Sequence, residues 1–387
     1  MEWINGEKRD LYWVYSVTFI FSIATGVTIP VIPVYTSFLG GSYIDVGMLG
    51  TTYAVIYTFL AIPIGKMLNR FRRKWFLTLS GFLGLLSALF YISSFKVVHL
   101  YIPKALEGIA WVSFWVSSET LITDLTHSSI RGFSLGLSTA SYGVGFFLGS
   151  LLGGFMAASL GLKSVFYFYL LLSLVAVILS LFIKERRELA HSSDGMVFHP
   201  LTRPSIISYL VPAYIVAVTY SVILSVITNL FPLYAERMGV EIAWIGGLLS
   251  LFWFVRIFSF ILSGRLSDRV GRVNMLVPAL VGVMVASFFL TQSTELNTFI
   301  LSFLIYGGGL GATFPTTIAM ISEVVSYRKR GLSMAFFEMS FGIGQLIGSA
   351  VGGFLADFYV PIAPYYMCIV LSIVSVLILI LATRLRR

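Results

Sequence analysis

The chain has 387 residues, of which 58% are hydrophobic and only 11% charged, with a formal net charge of +9 and a mean hydropathy of +0.92. A water-soluble domain carries about 25% charged residues, so this composition excludes a soluble globule. The single cysteine, Cys368, excludes an intramolecular disulfide and a CxxC metal site, and His99, His127, His191 and His199 lack metal-ligand spacing, so neither a metal nor a cofactor is expected.

Apolar runs of about 20 residues, each long enough to cross ~30 Å of hydrocarbon, recur along the whole sequence. They predict twelve helical spans, near residues 11–38, 45–68, 75–95, 99–124, 132–160, 164–184, 206–236, 242–266, 273–294, 297–325, 331–359 and 364–383. The short alternating segments of a membrane β-barrel are absent, so the expected class is an all-α membrane protein.

Taken in order, the first span follows Lys8-Arg9 and is too long for a signal-peptide core, so it reads as retained. It contains Ile29-Pro30-Val31-Ile32-Pro33-Val34-Tyr35. The second ends in Gly65-Lys66-Met67-Leu68-Asn69-Arg70-Phe71-Arg72-Arg73. The fourth holds three charges at depth, Lys104, Glu107 and Glu119, each costing about 2.5–3.5 kcal/mol near a bilayer centre unless paired or wet. Glu107, Trp111, Trp115 and Glu119 recur every fourth residue, a slowly turning stripe in which carboxylates alternate with aromatic faces. Rings stack on apolar or cationic solutes, and a carboxylate in a partly dry site can carry a proton. The plainer reading has Glu107 pairing with Lys104 and both tryptophans filling helix contacts.

The fifth span carries Gly145, Gly149 and Gly153, and the eleventh carries Gly344, Gly348 and Gly352. Small residues every four positions let helix backbones approach closely, here at an expected interface between the two halves of the chain. Between spans six and seven lies the one long polar stretch, about residues 185–205, which predicts a linker between a bundle at 1–184 and another at 206–387. Arg256 in the eighth span lies about 12 Å above the following turn and calls for an anion, either a protein carboxylate or a substrate. Glu338 in the eleventh is a candidate gate or second protonation site.

A shift of 199 positions superimposes the two halves: Gly143, Gly145, Gly149 and Gly153 fall on Gly342, Gly344, Gly348 and Gly352, Pro33 on Pro232, Gly108 on Gly307, and Asp124 on Glu323. Six spans per half make these parallel repeats. Of the 26 Lys and Arg, only Lys96, Lys163 and Arg237 lie on one side and Lys104 and Arg256 within spans; the rest gather on the other side. That bias places both termini in the cytoplasm and assigns the +9 charge to topology and lipid headgroups, not nucleic acid.

Gly264-Arg265-Leu266-Ser267-Asp268-Arg269-Val270-Gly271-Arg272 resembles the loop signature of the major facilitator superfamily of transporters. The resemblance implies two pseudo-symmetric six-helix bundles and a gating role for Gly264, Asp268, Arg269, Gly271 and Arg272. In the first-half counterpart Asn69 replaces the acid and Arg72 the second glycine, so the gating acid is carried over to Asp268 alone. Asp124…Arg131 and Glu323…Arg330 are similar to a second feature of that family, an acid and an arginine that cross-link helix ends; ordinary helix-end charge is the alternative. The fifth-span glycines are similar to the family's antiporter motif, with Ser150 where that motif has proline. By the same resemblance, spans one, four, seven and ten line a central cavity, which puts the stripe of Glu107, Trp111, Trp115 and Glu119 against substrate. Lys104 stands where many members carry an arginine in span four, and Arg256 is a further candidate for substrate or proton binding.

The first span is similar to that of drug/proton antiporters, so the expectation is proton-coupled efflux of drugs or metabolites by a monomer in the cell membrane. Its partners are then a small-molecule substrate, protons or another coupling ion, and lipid. Proton-coupled uptake of a sugar or organic anion is the alternative, and a non-transporting sensor or scaffold is the rival from another class. An enzyme is not expected, because no nucleophile–base cluster lies at depth; ATP-driven transport lacks a Walker segment.

Overall fold

The computed structural model describes residues 2–68, 70–185, 204–292, 295–324 and 330–384; within these every regular element is helical. Inside a bilayer each backbone N–H and C=O must be satisfied within its own segment, and the apolar runs answer as helices. The first half contains α1 (Glu2–Thr28), α2 (Val31–Phe38), α3 (Tyr43–Leu68), α4 (Arg73–Ser93), α5 (Tyr101–Asp124), α6 (Ser128–Leu160) and α7 (Leu162–Leu181). The second contains α8 (Pro204–Ser225), α9 (Phe231–Arg237), α10 (Ile242–Val270), α11 (Arg272–Gln292), α12 (Leu296–Val324), α13 (Arg330–Phe358) and α14 (Ala363–Arg384). Among the described residues eleven spans are long and apolar enough to cross a membrane, with α1–α2 and α8–α9 each counted as one. The twelfth predicted span is α5, whose 24 residues include Lys104, Glu107, Glu119 and Asp124. Most of the predicted linker lies outside the described residues, but Glu185 at its start is placed.

Both proline-bearing first spans of the halves are interrupted. Pro30 has no N–H to donate, and the chain breaks between α1 and α2 there. In the second half the helix continues through a π-turn, Val226–Leu230, just before Pro232. Such turns insert one extra residue per hydrogen-bonded ring and often mark functional positions.

Two compact units emerge, and each includes a helix end from the other half of the sequence. The first comprises Met1–Gly41, Thr52–His191 and Glu241–Ser250. In it α1 packs on α6 and α7, and α4 on α5 and α7. The opening of α10 is seated by Gly154 against Gly246 and by the Ser250 hydroxyl donating to Phe147 O at 2.9 Å. The second unit comprises Ser42–Thr51, Ser192–Val240 and Leu251–Arg387. There α8 packs on α12, α13 and α14, and α11 on α12 and α14. The opening of α3 is held by the Asp357 carboxylate, which accepts the N–H groups of Tyr43 and Ile44 at 3.2 and 2.7 Å.

The internal repeat extends to individual hydrogen bonds. Tyr15 donates to Ser134 O at 3.2 Å and Tyr214 to Ser333 O at 3.3 Å, the same pair under the 199-residue shift. Gly40 and Gly239, likewise equivalent, both turn with φ above +80°.

Candidate functional site

The fourth predicted span, α5, holds a buried ion pair. Lys104 Nζ and Glu107 Oε2 are 2.8 Å apart, with side chains 14% and 7% exposed. A three-residue step brings both to one helix face, and Gly108 lets α5 approach α3: an added Cβ there would meet Tyr53 O at 3.0 Å. Lys104 Nζ also lies 5.8 Å from the Tyr53 ring. The second carboxylate oxygen, Oε1, is buried with no hydrogen-bond partner among the described residues. Tyr53 of α3, Tyr91 of α4 and Tyr169 of α7 are all close enough to feel the Glu107 charge. The site is an acid with one oxygen committed to a cation and the other without a well-formed hydrogen bond, beside the Tyr91 hydroxyl and ringed by phenols. Chemically it can accept a proton, which would cancel the pair and release Lys104.

One turn further along α5, Trp111 and Trp115 stack on each other at 6.1 Å. Trp111 also meets Phe21 of α1 at 6.0 Å and Phe146 of α6 at 5.8 Å; Trp115 meets Tyr142 of α6 at 5.7 Å. Both indoles are half-buried, so part of each ring fills a helix contact and part stays open. Glu119, expected to continue the same stripe, is exposed while Glu107 is buried. Each four-residue step advances about 40° round the helix, so three steps turn Glu119 about 120° away from Glu107. The predicted single stripe is therefore two environments.

Arg256 of α10 is 4% exposed. One terminal nitrogen, Nη2, donates to the Tyr220 hydroxyl of α8, while Nε and Nη1 have no acceptor among the described residues. Its guanidinium lies 4.5 Å from the ring of Trp253, 5.0 Å from Phe260, 5.6 Å from Tyr220 and 5.7 Å from Phe252. Gly311 of α12 permits this seat, since a Cβ there would meet Arg256 O at 3.0 Å. Among the described residues of this unit the protein answers the charge with aromatic faces and one phenol, and supplies no carboxylate. Of the polar groups of α12 in this unit, Tyr306 donates to Ser287 Oγ at 2.8 Å and Thr316 to Ala312 O of its own helix at 2.7 Å.

At the helix ends, equivalent ion pairs form in both halves. Arg73 Nη1 lies 2.8 Å from Asp124 Oδ2, and Arg272 Nη2 lies 2.7 Å from Glu323 Oε1. The sequence reading paired these acids with Arg131 and Arg330 instead. Arg131 donates to Thr126 O at 3.4 Å while its charge still reaches Asp124, and the side chain of Arg330 lies outside the described residues. Arg73 went unrecognised although the 199-residue shift places it on Arg272. Each pair gains a further acid by a different route. Arg272 also binds Asp268 at 2.5 Å, one turn earlier. In the first half, where Asn69 stands in that place, Glu185 accepts the backbone N–H groups of Arg73 and Lys74 at 3.0 Å each. Gly271 has φ +92°, which explains its glycine; its counterpart Arg72 is extended at φ −67° and needs none. Gly264 faces open space, and Arg269 is exposed. Glu338 of α13 is half-buried.

The glycine stripes pack inside each half, not between halves as expected. A Cβ at Gly145 would meet Phe19 O at 2.9 Å, and one at Gly149 would meet Ile23 O at 2.6 Å, both on α1; Gly153 abuts Val27. In the second half Gly344 and Gly348 abut Val218, Ser221 and Val222 of α8, and Gly352 abuts Leu230 in the π-turn. Small residues at every fourth position present one face, and that face belongs to the neighbouring first span. The neighbouring face of each helix, Ser150 and Gly154 or Ser349 and Gly353, meets a helix end from the other half of the sequence.

Comparison with known proteins agrees with this architecture. The sequence profile of the Major Facilitator Superfamily matches residues 14–297 and 245–387. An uncharacterised MFS-type transporter of Methanocaldococcus jannaschii is 25% identical over 367 residues, covering 90% of this chain and 92% of that one. Multidrug resistance protein 2 of Bacillus subtilis is 23% identical over 364 residues, covering 92% and 90%. The crystal structure of the nucleoside transporter NupG, solved as a point mutant, superposes with a TM-score of 0.80 at 12% identity over 96% of this chain and 99% of that one, a likeness of fold.

Proposed function

The chain belongs to the Major Facilitator Superfamily, and from that premise we propose that it exports a small drug-like solute or metabolite by alternating access, driven by protons carried on Glu107. Transport follows from the family; the coupling and the direction are our reading. The observation that supports it is the Lys104–Glu107 pair at 2.8 Å with Oε1 left open at depth. A pair that served stability alone would have both oxygens satisfied, because an unmet buried acceptor costs about 1–3 kcal/mol. Protonation removes the charge on Glu107, frees Lys104, and gives the two states of one site different electrostatics. The half-open Trp111 and Trp115 next along the helix offer faces to a solute. Export is favoured by the likeness to a multidrug resistance protein.

In this reading the helices of residues 1–184 and 206–387 act as the moving bodies in a cell membrane, with both termini cytoplasmic and the protein monomeric. The Arg73–Asp124 and Arg272–Asp268–Glu323 clusters form and break at the cytoplasmic ends. The second reading, uptake of an organic anion, is favoured by the unmet N–H groups of Arg256. Purified protein in vesicles tests the proposal: solute flux that follows an imposed pH gradient is expected, and flux indifferent to that gradient would sink the coupling.

A further inference from the structure

We infer that Arg256 is an anion-recognition point, and that the solute it takes is an organic acid: one carboxylate, or a comparable monoanionic group, on a flat apolar body. This deepens the carrier reading above by naming its substrate class. It rests on that reading for transport but not for binding.

Three observations carry it. First, the guanidinium is buried at 4% exposure and makes no ion pair among the described residues. The acids with ion pairs among the described residues are committed elsewhere: Asp10 to Arg9, Glu107 to Lys104, Asp124 and Glu185 to Arg73, Asp268 and Glu323 to Arg272. Second, Nε and both hydrogens of Nη1 lack an acceptor among the described residues, so three donors there are unmet on a group that cannot lose its charge. Neutral hydroxyls of a sugar would fill donors without cancelling the charge, and a cationic solute would be repelled. A carboxylate does both jobs, with charge-assisted bonds about twice as strong as neutral ones.

Third, the walls are aromatic. Trp253, Phe252 and Phe260 of α10 and Tyr220 of α8 surround the guanidinium. Phe314 of α12 continues the wall, 5.4 Å from Tyr220 and 5.8 Å from Phe260. Phe260 and Phe314 are only half-buried, so this side of the cluster is where a flat body has room to lie against rings. Few convergent polar groups on an apolar lining is the usual build of a small-molecule site.

The test is equilibrium binding to the full chain in lipid nanodiscs, with 2-naphthoate and its neutral isostere 2-naphthamide as probes and calorimetry as readout. Wild type is expected to prefer naphthoate by about 10-fold or more, since a buried charge left unanswered by the amide is worth at least one hydrogen bond to an ion. Arg256→Gln should abolish the preference, and Arg256→Lys, which keeps charge but not the planar donors, should retain part of it. Equal affinity for the two probes, no binding of either, or a preference that survives in R256Q would overturn the assignment. Should R256Q fail to fold, the wild-type ratio and R256K decide alone. No pH gradient enters this measurement, so its failure and the failure of proton coupling are separate results.

Discussion

Glu107 in α5 and Arg256 in α10 are both buried charges in membrane-crossing helices, and the protein treats them oppositely. Glu107 receives a counter-ion from its own helix, 2.8 Å away. Arg256 receives four aromatic rings, one of them the Tyr220 phenol, and no carboxylate among the described residues of its unit. In the proposed reading a charge neutralised locally is a switch that a proton can throw, and a charge left open is one that a solute completes.

That contrast predicts opposite signs for removing the cations. Lys104→Met leaves the Glu107 carboxylate buried and unpaired, so it should destabilise the protein by about 3–5 kcal/mol, and the double change Lys104→Met with Glu107→Gln should recover most of the loss. Thermal melting of the purified variants reads both. Arg256→Met replaces an unanswered charge with an apolar side chain of similar length, so melting should stay level or rise, a gain of about 1–2 kcal/mol at most. A large loss in R256M would show that the guanidinium has a structural partner and would break the contrast. The smallest effects belong to the helix ends. Arg272→Ala strands two acids, Asp268 and Glu323, and should cost about 1 kcal/mol or less because both are exposed to solvent. Arg73→Ala should cost less still, since Glu185 continues to hold the start of α4 through two backbone N–H groups. Melting of the two variants side by side, with R73A the more stable, is the expected order.

The span count was legible because hydropathy needs only the thickness of a bilayer, and the boundaries of α3, α4 and α11 fall within a few residues of those predicted. The π-turn at Val226–Leu230 was not, because it depends on how α8 meets Pro232 and α13 rather than on composition. The Lys104–Glu107 pair could be read from a three-residue spacing, and Arg256 from its depth. Glu119 lies about 120° round the helix from Glu107, as the slow turn of a four-residue repeat requires, and is exposed where Glu107 is buried. Asp124 and Glu323 form ion pairs with Arg73 and Arg272, which come from the next helix back. The spacing along the chain pointed instead to Arg131, whose charge also reaches Asp124, and to Arg330, whose side chain lies outside the described residues. The internal repeat held the clue, since it aligns Arg73 with Arg272. The glycines were read correctly as close-packing residues and assigned to the wrong neighbour, because a small-residue stripe says how near a helix comes and not which helix it is.

The most direct test of proton carriage on Glu107 compares two modes of transport in reconstituted vesicles, using the solute that a binding screen identifies. Glu107→Gln should lose net flux driven by a pH gradient by about 10-fold or more while retaining solute-for-solute exchange, because the gate still moves but the proton has no seat. Net pH-driven flux at the wild-type rate in E107Q would contradict the account.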